Sequence, residues 1–332
     1  MSGAYRDAGV DTEAAAKAVA LIADLAAQAR RPEVADAIGG FAGLYRIGAG
    51  RMLAAATDGV GTKLEIARLT GRLDGVGIDL VAMCADDVAC TGAAPLFFLD
   101  YLAVGRVVPE RVASIVAGVA EGCRRAGCAL LGGETAEHPG VMAEDAFDLA
   151  GFCVGAVDED RLLGPHRVAE RDVLIGLASS GLHANGYSLI RSAVLPRAGL
   201  DAAPAELGRP LADELLEPCA IYTPDVLSLA RDGLLHAAAH VTGGGIPENL
   251  PRALPEGFGA AVERGSWPEP PVFGFIRSVA DLTDQDLLDT FNMGVGMVLV
   301  VAPDAADEVL ETSRHDAHRI GEVGPGSGVR FR

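Results

Sequence analysis

Two long apolar runs, residues 96–104 and 149–157, constrain the fold of this chain most. The first is interrupted only by Asp100, and both are too continuous for a strand with one wet face. Each reads as a strand buried on both faces. A helix with Pro109 in its first turn spans 109–126, and a short strand follows at 129–131. The second apolar run then arrives with no helix before it, which points to an α+β architecture instead of a doubly wound sheet. No Gly-x-Gly-x-x-Gly follows a strand, so a dinucleotide fold is disfavoured.

With 332 residues and 50% apolar content, the chain is long enough for two well-filled cores. The polar stretch 164–171 is the best linker, giving domains at 1–165 and 170–332. Residues 5–11 read as a frayed terminus, and 11–30 as a helix with Val19, Ile22, Leu25 and Ala29 on one stripe. A strand at 52–57 leads to short helices at 62–69 and 79–91. In the second half, strands are expected at 172–178, at 237–241 and after residue 291, with helices near 187–195, 211–219 and 224–231.

Four polar glycine loops stand at the ends of apolar strands, two in each half: 57–63, 132–140, 179–186 and 242–245. Glycine lets backbone N–H groups approach an anion closely, so phosphate is the natural guest. The first loop, Asp58-Gly59-Val60-Gly61-Thr62-Lys63, holds one of only two lysines, and a compact cation there suits a phosphate oxygen. It is not a Walker A loop, because Thr62 and not glycine precedes Lys63. The competing reading is a tight strand-to-helix turn.

Asp58, Asp86, Asp87, Glu134 and Glu137 supply hard oxygens for Mg²⁺ shared with a triphosphate, although each alone also reads as a helix cap or solvated charge. His183 lies in a hydroxyl-rich glycine loop, where a structural and a catalytic role both remain open. Residues 242–245 carry no acid and suit a substrate phosphate better than a metal. His138, His236 and His240 have no metal-ligand spacing and read as packing or surface residues.

A formal charge of −19 disfavours nucleic acid and anionic membrane surfaces as partners. The six cysteines form no Cys-x-x-Cys pair and fall in core-like segments, as expected for reduced thiols in a cytoplasmic protein. The N-terminus does not resemble a signal peptide, and no apolar run has the length of a membrane span.

Taken in order, residues 5–11, 57–63, 77–84, 95–101, 132–137, 150–155, 179–189, 242–245 and 291–297 resemble the phosphoribosylformylglycinamidine cyclo-ligase family, also called aminoimidazole ribonucleotide synthetases. The resemblance covers nearly the whole chain. It implies N-terminal strands that combine into a barrel-like sheet across a homodimer interface, beside a C-terminal mixed sheet with helices. It implies ATP at Gly59, Gly61, Thr62, Lys63, Glu134 and Thr135, and Mg²⁺ at Asp58, Asp87 and Glu134. Formylglycinamidine ribonucleotide would meet Ser180, Gly181, His183, Asn185, Thr242, Gly243, Gly244 and Gly245, with Lys63, His183 and Asp58 as catalytic groups. The reaction implied is ATP-dependent phosphorylation of the formyl amide oxygen, then ring closure by the amidine nitrogen with loss of ADP and phosphate. Asp86 departs from the asparagine usual there, His138 from a hydrophobic residue, Leu182 from a proline and Met293 from a cysteine.

Overall fold

A computed structural model describes residues 12–35 and 39–332; the stretch 5–11 lies outside them. The first sheet has five strands in the order β1-β2-β5-β3-β4: β1 (Gly43–Gly48), β2 (Arg51–Gly59), β3 (Ala94–Val104), β4 (Ala129–Glu137) and β5 (Phe147–Asp158). Neighbours are antiparallel except β3 and β4, which pair in parallel. Their crossover is the helix Pro109–Ala126, as parallel neighbours require. The second sheet runs β11-β8-β10-β6-β9-β7, with β6 (Val173–Ala178), β7 (Ala237–His240), β8 (Phe258–Val262), β9 (Val295–Val301), β10 (Ala317–Pro325) and β11 (Val329–Phe331). Two mixed sheets with helices make the chain α+β, as expected. Among the described residues no helix is long and apolar enough to cross a membrane.

Among the described residues the first half contributes α1 (Thr12–Ala27), α2 (Lys63–Thr70), α3 (Asp74–Ala89) and α4 (Pro109–Ala126). Helix α3 is buried almost throughout, packing on β2 and β5 on one side and α4 on the other. The crossing with α4 is close because glycine meets glycine. A Cβ on Gly77 would lie 2.3 Å from the Val119 nitrogen, and one on Gly118 would lie 1.9 Å from the Asp74 carbonyl oxygen. The helix that carries Asp79, Asp86 and Asp87 is thereby held at a fixed depth.

The apolar runs form β3 and β5, but only one face of each is covered. Leu96, Tyr101 and Phe152 are 49%, 40% and 41% exposed, so the expectation of burial on both faces fails for the chain taken alone. The stripe on α1 is likewise open, with Val19, Ile22 and Leu25 all exposed. Strand β1 has no counterpart among the expected strands because Leu44 is its sole buried residue, leaving no apolar pattern. It joins β2 through Ala49 and Gly50, both with positive φ (53° and 70°), the backbone of a two-residue hairpin turn matched to strand twist. The second glycine loop also needs correction. Residues 132–137 continue β4 in register with β3.

Candidate functional site

The C-terminal ends of β6 and β7 lie at the same edge of the second sheet, because both pair antiparallel with β9, Ala178 opposite Val295 and His240 opposite Met297. The segments that leave this edge, 179–186, 241–245 and 291–294, therefore converge, and they do so against α3. Asn185 Nδ2 reaches Met83 Sδ at 4.0 Å. The Asn185 amide oxygen also sits 3.5 Å from where a Cβ of Gly243 would be, which brings the third and fourth glycine loops together.

Across from them stand the carboxylates of the first half. Asp58, near the end of β2, accepts the Gly59 N–H at 2.7 Å. Burial raises its pKa, the Gly59 bond lowers it, and the nearby Asp87 charge raises it again, leaving it above the ordinary value. Asp87, on α3, faces His240 Nδ1 at 3.0 Å. Burial alone would lower the pKa of His240, but the Asp87 bond and charge outweigh it, so the pKa is raised. Spacing alone puts His240 among packing residues, and the structure moves it to the site. The signal available was its position, last in a buried strand and two residues before Thr242.

The loop 242–245 is shaped by its own polar groups. Asn249 Nδ2 donates to the carbonyl oxygens of Gly243 (3.1 Å) and Gly245 (2.9 Å), and Thr242 Oγ1 donates to Asn249 Oδ1 at 3.3 Å. Gly245 has φ 59°, and a Cβ there would meet the Leu288 carbonyl oxygen at 2.3 Å. Arg252 spans from this loop to the start of the first sheet. It bonds Asn249 Oδ1 and the Gly39 and Gly40 carbonyls, with its guanidinium 4.0 Å from the Phe41 ring centroid.

In the loop 179–186, Ser180 Oγ donates to the Pro218 carbonyl at 2.6 Å, and the Gly181 carbonyl accepts from Ser179 Oγ and Asn292 Nδ2, each at 2.9 Å. His183 is 2% exposed and has φ 62°. Burial drives its pKa well below the ordinary histidine value, so the ring is neutral. Its Nε2 accepts the Ser180 N–H at 3.3 Å, which assigns the proton to Nδ1. A ring so enclosed organises the loop, and the catalytic expectation for His183 finds no open nitrogen at Nε2.

Lys63 departs furthest from expectation. It is fully buried at the first turn of α2, forming an ion pair with Asp79 at 2.8 Å and donating to the main-chain oxygens of His183 (3.0 Å) and Glu217 (2.7 Å). With its three N–H donors facing protein oxygens, it is not aimed at a phosphate. Gly59 closes β2, Gly61 takes φ 70° in the turn to α2, and Thr62 Oγ1 lies 3.2 Å from Ser188 Oγ.

Glu134 and Thr135 do not join this cluster. Asp58 aligns across the sheet with Gly151, Asp100 and Gly133, whereas Glu134 aligns one residue on, with Tyr101 and Ala150. Successive residues point to opposite faces, and three strand spacings separate β2 from β4, about 14 Å. Asp58, Asp87 and Glu134 therefore cannot share one cation within one protomer. Among the described residues no group of three or more His, Cys, Asp or Glu side chains is gathered to hold a metal.

Asp86, the departure from asparagine, faces away from the cluster. Its Oδ1 accepts the N–H groups of Tyr222 (2.9 Å) and Thr223 (2.7 Å) and the Thr223 hydroxyl (2.7 Å), capping the helix Thr223–Arg231 of the other half. Burial raises its pKa, and among the described residues Oδ2 has no partner. A cavity of about 800 Å³ lies at the opposite edge of the second sheet, beside Arg171, Val173, Arg319 and Glu322.

Two mixed sheets whose glycine loops face a shared acidic helix define the AIR synthase-related class. The AIR synthase related protein N-terminal domain matches residues 39–157 and the corresponding C-terminal domain matches 170–332. Within that class the chain belongs to the phosphoribosylformylglycinamidine cyclo-ligase family, and it is an enzyme of purine biosynthesis. A cyclo-ligase of that name from Geobacillus thermodenitrificans (strain NG80-2) is 48% identical, covering 100% of this chain and 98% of the relative. Another, from Anaeromyxobacter dehalogenans (strain 2CP-C), is 50% identical with 99% of each covered. Among solved structures, thiamine-monophosphate kinase from Stenotrophomonas maltophilia K279a shares the fold at 21% identity and a TM-score of 0.62, covering 92% of this chain and 93% of that one. T. maritima PurL complexed with FGAR matches at 19% identity and a TM-score of 0.62, over 89% of this chain and 45% of that one.

Proposed function

We propose that the reaction runs at the meeting of the two halves, between Asp58, Asp87 and His240 on one side and the loops 179–186 and 242–245 on the other. The observation that carries this is the Asp87–His240 contact, which closes the two halves on one polar point. Asp58 and Asp87 fit a divalent cation. They are near enough for the charge of one to raise the pKa of the other, and among the described residues Asp58 engages only Oδ1 with a protein donor. Mg²⁺ with ATP, when bound, supplies the phosphoryl group and neutralises its charge. AaThiL, of the same fold at 17% identity and a TM-score of 0.65 over 94% of this chain and 92% of that one, is described as complexed with AMPPCP and TMP.

The protein's own part is placement. The N–H groups of Thr242, Gly243, Gly244 and Gly181, with the Asn185 amide, hold the phosphate and amide of formylglycinamidine ribonucleotide. The formyl oxygen then lies in line with the phosphoryl donor. Phosphorylation makes that oxygen a leaving group, and attack by the amidine nitrogen closes the imidazole. No covalent protein nucleophile is required. The domain division is proposed at 1–165 and 170–332, a reading supported by one sheet in each part, and localisation is proposed as cytoplasmic.

The uncovered aromatic face of the first sheet carries Tyr101 and Phe152, and in this reading it packs against the same face of a second copy to complete the barrel-like core. The decisive assay combines purified protein, ATP, Mg²⁺ and formylglycinamidine ribonucleotide and follows aminoimidazole ribonucleotide together with ADP. ATP turnover without the imidazole product overturns the proposal.

A further inference from the structure

The Lys63 ammonium joins four segments at one atom. Besides α2, which carries it, the contacts are Asp79 on α3, the His183 carbonyl in the loop 179–186 and the Glu217 carbonyl, at 2.7–3.0 Å. Asp79 Oδ1 extends the joint by accepting the Cys219 N–H at 2.8 Å. The Tyr187 ring closes over the ammonium at 5.7 Å.

The contact with His183 has the most consequence. A histidine at φ 62° sits in a region unfavourable for any residue with a Cβ, and such a conformation persists only where its surroundings over-determine it. Here the ring is locked through Nε2 to the Ser180 N–H, and the carbonyl is locked to Lys63. Two residues on, Asn185 projects to Gly243 and Met83. Losing the bond at the carbonyl lets His183 leave the left-handed region, and the Ser180 N–H and Asn185 amide move with it.

We infer that Lys63 is a positioning residue, which sets the loop 179–186 through the His183 carbonyl and so sets the affinity for formylglycinamidine ribonucleotide while touching neither nucleotide nor substrate. This rests on the proposed assignment of that loop to the substrate.

The test uses the full-length enzyme. Removing the lysine alone strands the Asp79 charge in the interior, so the informative variant is Lys63→Met with Asp79→Asn, which removes both charges together and keeps an oxygen for the Cys219 N–H. The expected result is a cooperative thermal transition, faster amide hydrogen exchange in 179–186, a tenfold or greater rise in KM for formylglycinamidine ribonucleotide, and a KM for ATP within twofold of wild type. Unchanged exchange in 179–186 in the folded double variant overturns the inference. Faster exchange with a raised KM for ATP alone overturns the assignment of the loop to the substrate instead. A second measurement needs no variant. Native amine labelling of the wild-type protein, read by mass spectrometry, should leave Lys63 unmodified with or without MgATP. A reactive Lys63 that MgATP protects overturns the inference.

Discussion

His240 Nδ1 lies 3.0 Å from Asp87 Oδ1, joining the end of β7 to the middle of the molecule at α3. A buried histidine in such a bond fixes the orientation of the carboxylate it faces. His240→Leu should therefore lower kcat/KM by roughly 10–100-fold, the range seen when the partner of a metal-binding group is lost. The Mg²⁺ concentration for half-maximal rate should rise with it. A Mg²⁺ titration identical to wild type would count against Asp87 as a metal-binding group.

Asp58→Asn should abolish turnover and leave the thermal transition intact, since the remaining amide oxygen still accepts the Gly59 N–H seen at 2.7 Å. Calorimetric titration with a non-hydrolysable ATP analogue in Mg²⁺ should show weakened binding. Full activity in this variant removes Asp58 from the site.

Asp86 should tolerate asparagine and not alanine. Asparagine keeps the oxygen that caps Tyr222 and Thr223, whereas alanine leaves buried donors unsatisfied at about 1–3 kcal/mol. Urea unfolding of the two variants separates them. Equal stability would mean that the cap contributes nothing.

Strands β3, β5 and β9 are legible in the sequence because their apolar runs are long, and the loops 57–63, 179–186 and 242–245 because positive φ and close backbone approach demand glycine there. Strands β1 and β11 are not, since edge strands with wet faces carry no alternation of their own, and neither is β10, which lies inside its sheet but buries only Ile320 and Val323. Lys63 shows a deeper limit. A lysine closing a glycine loop suits a phosphate and a buried carboxylate equally, and the choice depends on Asp79, sixteen residues away on another helix. Glu134 fails differently: the apolar pattern of its strand stops at residue 131, so the register that turns it away from Asp58 cannot be read.

Gly118→Ala should destabilise the first half by about 1–3 kcal/mol, the usual cost of forcing extra volume into a packed contact. The added methyl would enter the Asp74 carbonyl, from which α3 or α4 must retreat. Activity should fall more steeply than stability, because α3 carries Asp87. A wild-type denaturation midpoint would show that the helices move apart at no cost.

Asp225 predicts behaviour in acid. Burial raises its pKa, but the His315 ring and the N–H groups of Arg314 and His315 outweigh burial and leave it below the ordinary carboxylate value. A depressed carboxylate contributes stability above its unfolded pKa of about 4, lost as pH falls through the lower folded value. Asp225→Asn should thus be less stable than wild type at pH 7, with the gap narrowing below pH 4. A gap independent of pH would mean that the charge is not what His315 and its neighbours hold.

The burial of Lys63 against Asp79 also bears on how the chain comes to be folded. Neither charge can leave water favourably until the segments bearing His183, Glu217 and Cys219 are seated. An N-terminal half made alone would keep that joint hydrated, with α2 loosely attached. Completion of the first sheet's packing therefore waits on the second, and the two halves should melt as one cooperative unit even though each has a sheet of its own.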